Sequence, residues 1–391
     1  MIFALPFRAA AQEEARAAWQ VTNFDINADV QQAGRTLSVV AVLSANNVGR
    51  GAGQSFTFRI NTKAVVKSVT VGGANAVFRA VPETAGNSQR VTVTLPGSIP
   101  SGGSIVLNIT YTLPVQSNTG IAAISPTGSQ FLPLSLWFPA PNTFFSARGA
   151  DSAPVRILVN APGVISSGME KSGGSSTSIE QPLNSQPFFV QGEWDRIENA
   201  AAGQNVIVFA PRGVTPEERK QADSLIQLTS AARAYFSTLL GPAPDVPIRL
   251  VSVRRGAGFF EGGTVLIDPG ALRRSKVDAG TALVISEAVA RLWIGGQTAV
   301  RGEGSGVLRE ALPRYLAALF IEKQFGREAA QTQLLRERLA YSSVAKRDGP
   351  LARVTPLEPT YFSSVTNKGA MVWRLIDHTL GREVFLTTLR S

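Results

Sequence analysis

The hydrophobic pattern of the chain changes character near residue 201. From residue 19 to residue 200, hydrophobic positions form short alternating or β-branched runs, and clusters of Gly, Pro, Asn and Ser separate the runs. Such spacing is typical of strands and turns, and no run carries a helical period of useful length. The runs lie at 37–43, 56–60, 65–71, 91–95, 105–111, 155–159 and 188–190. The pattern predicts an antiparallel β domain of sandwich type over residues 19–200.

After residue 201 strands come first and helices follow, which predicts an α+β domain over residues 201–391. Thr215-Pro-Glu-Glu218 is a capping box with proline at the first helical position, so a helix begins there and ends at Gly241-Pro242. Strands are predicted at 205–210, 248–253 and 264–268. Further helices are predicted at 278–294, 305–325, 327–346 and 367–380, and a last one from near residue 382.

Composition restricts the chemistry that this chain of 391 residues can perform. It has no cysteine and one histidine, His378. Disulfides, thiolate zinc sites, cysteine nucleophiles and iron–sulfur clusters are therefore excluded, as is any site that needs two histidines. A Ser-His-Asp triad would have to use His378, which falls late in a predicted helix, where we expect a packed or capping histidine rather than a metal ligand.

The net charge of +10 comes from scattered basic residues without interleaved aromatic motifs. We therefore expect no nucleic-acid partner, but an arginine-rich surface with affinity for anionic envelope polymers. Residues 1–18 begin with a short apolar stretch and a small-residue site, Ala9-Ala-Ala11, and they resemble the remnant of a secretory signal peptide. This predicts an exported protein, periplasmic or extracellular. No run reaches the ~18 apolar residues of a membrane span.

The most informative stretch is the apolar segment 283–296, which two charged residues interrupt. Glu287 and Arg291 are spaced i, i+4 with the acid first, the favourable order for an ion pair on one helix face, and Glu310 follows nineteen positions after Arg291. A buried carboxylate without a partner is costly, so we expect the Arg291 guanidinium to lie between the carboxylates of Glu287 and Glu310. The alternative is an exposed surface pair.

This segment resembles the zinc motif of the membrane alanyl aminopeptidase and leukotriene-A hydrolase family of gluzincin metallopeptidases. That family has an H-E-x-x-H-x-W-x-G helix, followed by the Glu of an E-G-x-x-x-Y helix. The matching positions are Trp293, Gly295, Glu310 and Tyr315. In this register Glu287 and Arg291 replace the two zinc-binding histidines, Ala288 replaces the general-base Glu, and Glu310 alone keeps its type.

Two further stretches resemble other landmarks of the family. Gly258-Phe-Phe-Glu-Gly262 is similar to the loop that holds the α-amino group of the substrate, which implies binding roles for Glu261 and Gly258. The alternative expectation for Glu261 is a solvated carboxylate in a loop, without a binding role. Thr366-Asn-Lys-Gly369 is similar to a motif whose first residue is the oxyanion-stabilising tyrosine, here replaced by Thr366.

The β half also resembles the family's saddle-like N-terminal domain, at Trp137-Phe-Pro139 and Gln191-Gly-Glu-Trp194. The resemblance thus implies a saddle-like β-sandwich followed by a thermolysin-like α+β peptidase domain. We expect Tyr315 and Trp293 to be core residues. Pro313 lies either in the first turn of its helix or at a kink.

The departures from the motif predict a degenerate member of this family without catalytic residues and without the family zinc. Arginine is permanently cationic and has no lone pair for a metal. The leading hypothesis is an inactive pseudo-peptidase whose cleft binds a peptide, a protein or an envelope polymer. The alternatives are an active metallo-aminopeptidase with unconventional ligands and a structural subunit with a filled cleft.

Overall fold

The computed structural model describes residues 16–84, 87–118, 121–142, 153–171, 177–182, 187–296, 298, 300, 304–354 and 360–390. Of the predicted signal-peptide remnant, residues 1–15 lie outside this described part. Within the described part, no helix is both long enough and apolar enough to cross a membrane.

The N-terminal half consists of strands, with a short 3₁₀ turn at Pro133–Ser135. The strands are β1 (Trp19–Gln31), β2 (Thr36–Asn47), β3 (Gly53–Asn61), β4 (Val65–Val71), β5 (Ala74–Asn75), β6 (Phe78–Pro82), β7 (Ser88–Ile99), β8 (Ser104–Pro114), β9 (Ala122–Ser125), β10 (Gly128–Phe131), β11 (Ala140–Pro141), β12 (Pro154–Asn160), β13 (Val164–Ser166), β14 (Met169–Lys171), β15 (Thr177–Pro182) and β16 (Phe189–Gly192).

These strands form three sheets in the described residues. One has eight strands in the order β14-β15-β12-β1-β2-β8-β4-β5, and two have four strands each, β13-β16-β10-β9 and β11-β3-β7-β6. Pairing is antiparallel except between β1 and β12, which run parallel. The β fold is confirmed, and each predicted run lies in a strand, although the last strand begins one residue later than predicted. The single parallel pair was not predicted.

The core of the β half lies between the sheets and includes Trp137, which is fully buried. Its indole Nε1 donates to the carbonyl of Pro187 at 3.0 Å, and its own carbonyl accepts from the Tyr111 hydroxyl. Burial raises the pKa of Tyr111 well above its usual value. Trp137 is therefore a core residue whose indole N–H and carbonyl both have hydrogen-bond partners, and the adjacent Phe138 is also buried.

The C-terminal half combines one five-stranded sheet with helices. Its elements are β17 (Trp194–Ile197), β18 (Val206–Pro211), α1 (Pro216–Leu240), β19 (Ile248–Ser252), β20 (Phe260–Glu261), β21 (Thr264–Ile267), α2 (Gly270–Arg273), α3 (Ala279–Ala290), α4 (Leu312–Phe325), α5 (Arg327–Ser342), α6 (Gly369–Leu380) and α7 (Arg382–Arg390). A 3₁₀ turn lies at Ala345–Arg347, and π-helical turns at Val307–Ala311 and Phe362–Lys368 lead into α4 and α6.

The sheet order is β17-β18-β19-β21-β20, with β18, β19 and β21 parallel and the two edge strands antiparallel. The strands β19 and β21 are buried at every position, whereas β18 alternates between buried and more exposed positions. The α+β architecture is thus confirmed. The strand β17 lies before residue 201 and pairs with β18, so this sheet includes residues upstream of position 201.

The capping box at the start of α1 has the predicted form. The Glu218 amide donates to Thr215 Oγ1, and the Thr215 amide donates to the Glu218 carboxylate, each at 3.1 Å. Other helices differ from prediction at their ends. The helix α3 stops at Ala290 rather than at residue 294, and both α4 and α6 begin with π-helical turns. Such turns shift the face that a helix presents, and periodicity does not reveal them.

The two halves share a small hydrophobic core of their own. Leu132 and Val190 from the β half pack with Val251 and Leu266 from the five-stranded sheet. The buried Arg249 donates to the carbonyl of Ser166 across the same boundary at 3.1 Å. These contacts hold the β half against the hairpin β20–β21 and thereby form one wall of a cleft.

Candidate active-site cleft

The helix α3 carries Glu287 and Ala288, and Arg291 follows it directly as its C-cap. Asp278 caps the helix by accepting from the amides of Gly280 and Thr281, at 2.9 and 3.0 Å. Eight of the twelve α3 residues are buried, as the apolar sequence predicted. Arg291 is the C-cap of α3, directly after the last helical residue.

The π-helical turn Val307–Ala311 carries Glu310 opposite the end of α3. Pro313 follows this turn directly, at the second position of α4. Because proline has no N–H, the carbonyl four residues earlier, that of Arg309, lacks its ordinary helical donor. This carbonyl accepts instead from Arg291 Nε at 3.1 Å.

Arg291 and Glu310 form an ion pair between Nη2 and Oε2. Their side chains are 13% and 12% exposed, and the guanidinium lies 4.8 Å from the centre of the Phe260 ring. The expected contact of Arg291 with Glu310 is therefore present, and it is largely buried. Burial alone would lower the pKa of Arg291, but the carboxylates of Glu310, Glu261 and Glu287 outweigh burial and raise the pKa above its usual value.

The expected contact between Arg291 and Glu287 is wrong. The ion-pair partner of Glu287 is Arg314, whose Nη1 lies 2.7 Å from Glu287 Oε2. The Nε of Arg314 lies 2.7 Å from Glu337 Oε1, so this arginine bridges α3 and α5 from α4. The i, i+4 pair does not form because each side chain has a partner on a neighbouring element. Arg291 contacts the Glu310 carboxylate and the Arg309 carbonyl, and Glu287 contacts Arg314.

Glu261 lies on β20 and is 16% exposed, so the alternative of a solvated loop carboxylate is wrong. Its Oε2 is 3.3 Å from Arg309 Nη2 and 3.8 Å from Arg291 Nη1. Arg309 Nε in turn lies 3.7 Å from Glu310 Oε1. The carboxylate that the resemblance assigns to an amino group therefore already faces two guanidinium groups.

We refer to seven residues as the charge cluster: Glu261, Glu287, Arg291, Arg309, Glu310, Arg314 and Glu337. Arg309, Arg314 and Glu337 were missed by the sequence reasoning. Arg309 adjoins Glu310 and Arg314 is four residues beyond it, which is a weak signal for each. Burial raises the pKa of Glu337, the nearby Arg314 opposes this shift, and Glu287 adds to it.

Two cavities flank the charge cluster. The cleft cavity has a volume of about 460 Å³ and is lined by Glu261, Glu287, Arg291, Glu310, Tyr361 and Thr366, among others, with Gly258 at one side. The hairpin cavity has a volume of about 360 Å³, and Ala288, Gly262–Val265 and Leu292 are among its lining residues. Phe260, Glu261, Arg291 and Arg309 line both cavities.

Thr366 lies in the π-helical turn before α6 and lines the cleft cavity, as does Tyr361. Tyr361 is 6% exposed, and the sequence reasoning did not single it out. Burial and the nearby Glu310 raise the pKa of Tyr361. A side chain at position 306 would place its Cβ 2.5 Å from the Tyr361 hydroxyl, so Gly306 gives this tyrosine its room.

The remaining candidates lie away from the cluster. Trp293 and Tyr315 are core residues, as predicted. The indole of Trp293 donates to the carbonyl of Gly241 at 3.1 Å, and the hydroxyl of Tyr315 donates to Asp377. His378 is exposed in the last turn of α6, so of the two expected roles, a packed or a capping histidine, the packed one is wrong.

The residues at the family's zinc positions do not fit the metal. A catalytic zinc needs three protein ligands with lone pairs and an open position for water. One of the three positions here carries a guanidinium that is paired with Glu310. Among the described residues no group of three or more His, Cys, Asp or Glu is arranged to hold a metal ion.

Comparisons with known proteins agree with this architecture. No family model matches the chain. The aminopeptidase-like protein AC3.5 of Caenorhabditis elegans is 24% identical over 340 residues, which are 78% of this chain and 30% of the relative. Yeast LTA4 hydrolase in complex with bestatin superposes with a TM-score of 0.73 at 14% identity, covering 99% of this chain and 64% of the hydrolase.

A second solved structure, the M1 zinc metallopeptidase of Deinococcus radiodurans, superposes with a TM-score of 0.63 at 17% identity and covers 96% of this chain and 86% of its own. The chain has the fold of the M1 aminopeptidase and LTA4 hydrolase family, as the resemblance predicted, and its aminopeptidase-like relative supports the same resemblance. It spans about a third of the length of that relative.

Proposed function

We propose that the chain is a catalytically inactive relative of the zinc aminopeptidases, whose cleft binds a peptide or protein segment. The observation that carries this proposal is the buried ion pair between Arg291 and Glu310. The resemblance assigns both positions to zinc ligands. A guanidinium has no lone pair for a metal and repels a dication, while it satisfies the carboxylate that the metal would otherwise neutralise.

Two further substitutions support inactivity. Ala288 cannot accept a proton, and loss of a general base alone costs a factor of ~10²–10⁴. Thr366 stands where the family has its oxyanion-stabilising tyrosine, and loss of such a donor costs roughly a further 10²–10³. The loss of metal ligand, base and oxyanion donor together leaves no route through the family's mechanism.

The cleft cavity supports a binding role over a filled, purely structural cleft. Its volume of about 460 Å³ lies in the range of ligand sites, and Glu261 and Gly258 line it together with Phe362, an aromatic residue that is 39% exposed. An extended peptide segment suits an open cleft that combines exposed apolar groups with charged groups.

The decisive experiment measures metal content and hydrolysis on the same purified protein. We expect substoichiometric zinc by mass spectrometry, and no hydrolysis of L-alanine p-nitroanilide above the rate of a sample treated with chelator. Stoichiometric zinc together with chelator-sensitive hydrolysis would establish the alternative, an active aminopeptidase with unconventional ligands, and would end this proposal.

The binding role is tested with a panel of defined tripeptides observed by saturation-transfer NMR. Phe362→Ala removes an exposed aromatic ring of the cleft and should weaken binding. The matched control is Leu375→Ala, which shortens a 66% exposed side chain that does not line the cleft cavity. Absence of binding for every tripeptide, or equal losses in both variants, would favour the structural-subunit alternative.

Export and affinity for an anionic envelope polymer remain part of the proposal, supported by the net charge of +10 and by the small-residue site at Ala9–Ala11. Fractionation of cells that express the natural gene tests export. Co-sedimentation with purified cell-wall polymer at rising salt tests the affinity, which should fall as salt screens the charges.

A further inference from the structure

The hairpin cavity is a second concave site, beside the cleft and separated from it by the charge cluster. Its volume of about 360 Å³ lies at the small end of the roughly 300–1,000 Å³ that ligand pockets occupy. Most of its wall is apolar: Val246, Phe260, Val265, Ala288, Leu292 and Ile294. The small side chain of Ala288 leaves this space open, since a longer residue there would extend into it.

Polar groups meet the apolar wall at one side of the hairpin cavity. These are the guanidinium groups of Arg291 and Arg309 and the carboxylate of Glu261, which are 12–16% exposed. Gly295 allows this approach: it has a φ of +94°, and a Cβ there would lie 3.3 Å from Arg309 Cγ. The remaining charged residue of the lining, Asp245, is exposed at the mouth, where water solvates it.

The two guanidinium groups present N–H donors to the hairpin cavity. Arg291 Nη1 is 3.8 Å from Glu261 Oε2, which is ion-pair distance but beyond a hydrogen bond. Arg309 donates through Nη2 to Glu261 Oε2 at 3.3 Å. Both arginines line the cavity, so their remaining N–H groups are suited to a carbonyl oxygen of a ligand.

The net formal charge of the side chains at the polar side of the cavity indicates which ligand charge the site can accept. Glu261 and Glu310 balance Arg291 and Arg309. An additional buried anion or cation would therefore lack a counter-charge, which is costly in a site that excludes water. An uncharged ligand with a hydrogen-bonding group has no such cost.

From the shape, the guanidinium donors in the lining and the charge balance together, we infer that the hairpin cavity binds a small uncharged apolar molecule that carries a carbonyl or primary amide group. The apolar body lies against Phe260, Leu292 and Ile294. The carbonyl oxygen accepts from Arg291 or Arg309, and an amide N–H donates to Glu261. This site is separate from the peptide cleft and would exist whether or not the cleft is catalytic.

Three molecules of nearly the same shape test the inference: phenylacetamide, phenylacetate and 2-phenylethylamine. For ligands of this size, a Kd on the order of 10⁻⁴–10⁻³ M is expected for the amide. Titration followed by two-dimensional NMR should show the amide binding roughly tenfold or more tightly than either charged analogue, because each charged analogue adds an uncompensated buried charge.

Variants locate the site. Ala288→Leu and Ile294→Trp each place a larger side chain in the hairpin cavity and should weaken amide binding by about tenfold or more. Because Ala288 is buried and its variant could fail to fold, the half-buried Ile294 provides the second, independent test. Phe362→Ala alters the cleft cavity alone and should leave the Kd of the amide within about twofold.

Several results would overturn the inference. These are no binding of the amide up to roughly 10 mM, equal affinity for the charged analogues, or amide binding that survives in folded Ile294→Trp protein. Loss of amide binding in Phe362→Ala would place the ligand in the cleft instead. Zinc-dependent hydrolysis would end the proposal of an inactive peptidase but would leave this result unchanged, so the two failures are distinguishable.

Discussion

Arg291 Nη2 contacts Glu310 Oε2, an ion pair that joins the C-cap residue of α3 to the π-helical turn before α4. The two side chains are nineteen positions apart in the sequence, and both are more than four-fifths buried. Each is costly to leave alone in this environment. Each side chain therefore needs the other to offset the cost of its burial, whichever function the cleft performs.

Removal of one member of this pair should destabilise the protein strongly. Arg291→Met leaves the Glu310 carboxylate buried without its main partner, with an expected loss on the order of 3 kcal/mol in the free energy of unfolding. Urea denaturation followed by circular dichroism measures this loss. The double variant Arg291→Met/Glu310→Gln removes both charges and should recover at least about 1 kcal/mol of it. If the loss in the double variant equals the sum of the losses in Arg291→Met and in Glu310→Gln alone, the two side chains are not coupled.

Arg314 should be as important to stability as Arg291, because it bridges Glu287 and Glu337. Arg314→Met is expected to cost about 3–5 kcal/mol. The control is Arg196→Met, in the surface pair with Glu198, whose side chains are 61% and 51% exposed; its cost should stay below about 1 kcal/mol.

The pH dependence of the same variant provides a second readout. Burial raises the pKa of Glu337, and Arg314 opposes that shift, so loss of Arg314 should raise the pKa further. A carboxyl whose pKa is raised on folding favours the folded state at low pH, and this advantage is lost as pH rises through the folded-state pKa. The deficit of Arg314→Met should therefore be smaller in acid than at neutral pH. A deficit that is constant with pH would show that Glu337 does not take up the proton.

Gly306 should not tolerate a side chain, because a Cβ there would lie 2.5 Å from the Tyr361 hydroxyl and 3.1 Å from Val365 Cγ1. Gly306→Ala is expected to cost about 1–3 kcal/mol through overpacking. Gly97→Ala is the matched control: it lies on an exposed strand position where a Cβ meets no atom within 4 Å, and its effect should be within about 0.5 kcal/mol. Equal stabilities of the two variants would contradict the packing of Tyr361.

In the β half, Glu83 should make stability depend on pH in the acidic range. The hydrogen bond from Arg59 is the main cause that lowers the pKa of Glu83 from 4.5 to about 2. Burial opposes this shift, and hydrogen bonds from Ser88 and Arg90 add to it. A lowered carboxyl pKa stabilises the fold above the unfolded-state value, and this contribution is lost as pH falls through the folded-state value.

Glu83→Gln should therefore lower Tm at neutral pH, and its difference from the wild type should shrink as pH falls from about 4.5 to about 2. Differential scanning fluorimetry at several pH values measures both effects. Glu193→Gln, in a pair whose side chains are 69% and 75% exposed, should leave Tm unchanged throughout. A difference for Glu83→Gln that persists unchanged at pH 2 would refute the role of its ionised form.

Much of the fold follows from local patterns. The capping box at Thr215, the glycine after α1 and the alternating runs of the β half each act through neighbouring residues, so their outcome is visible in the sequence. The π-helical turns at Val307–Ala311 and Phe362–Lys368 were not predicted, because they depend on the packing of elements distant in sequence. The parallel pairing of β1 with β12 is likewise a long-range choice.

The amino-acid sequence by itself determined which chemical groups the cleft lacks. One histidine and no cysteine exclude the usual zinc ligand sets, and the order of Glu287, Ala288, Arg291 and Glu310 indicated the altered motif. Only the tertiary structure decided the partners: Glu287 pairs with Arg314, and Arg291 pairs with Glu310 and lies near Glu261. Sequence spacing limits which side chains can meet within one helix. A buried charge, however, pairs with the opposite charge that lies nearest to it in the folded protein. Which charge that is depends on how the helices and the β20–β21 hairpin pack together.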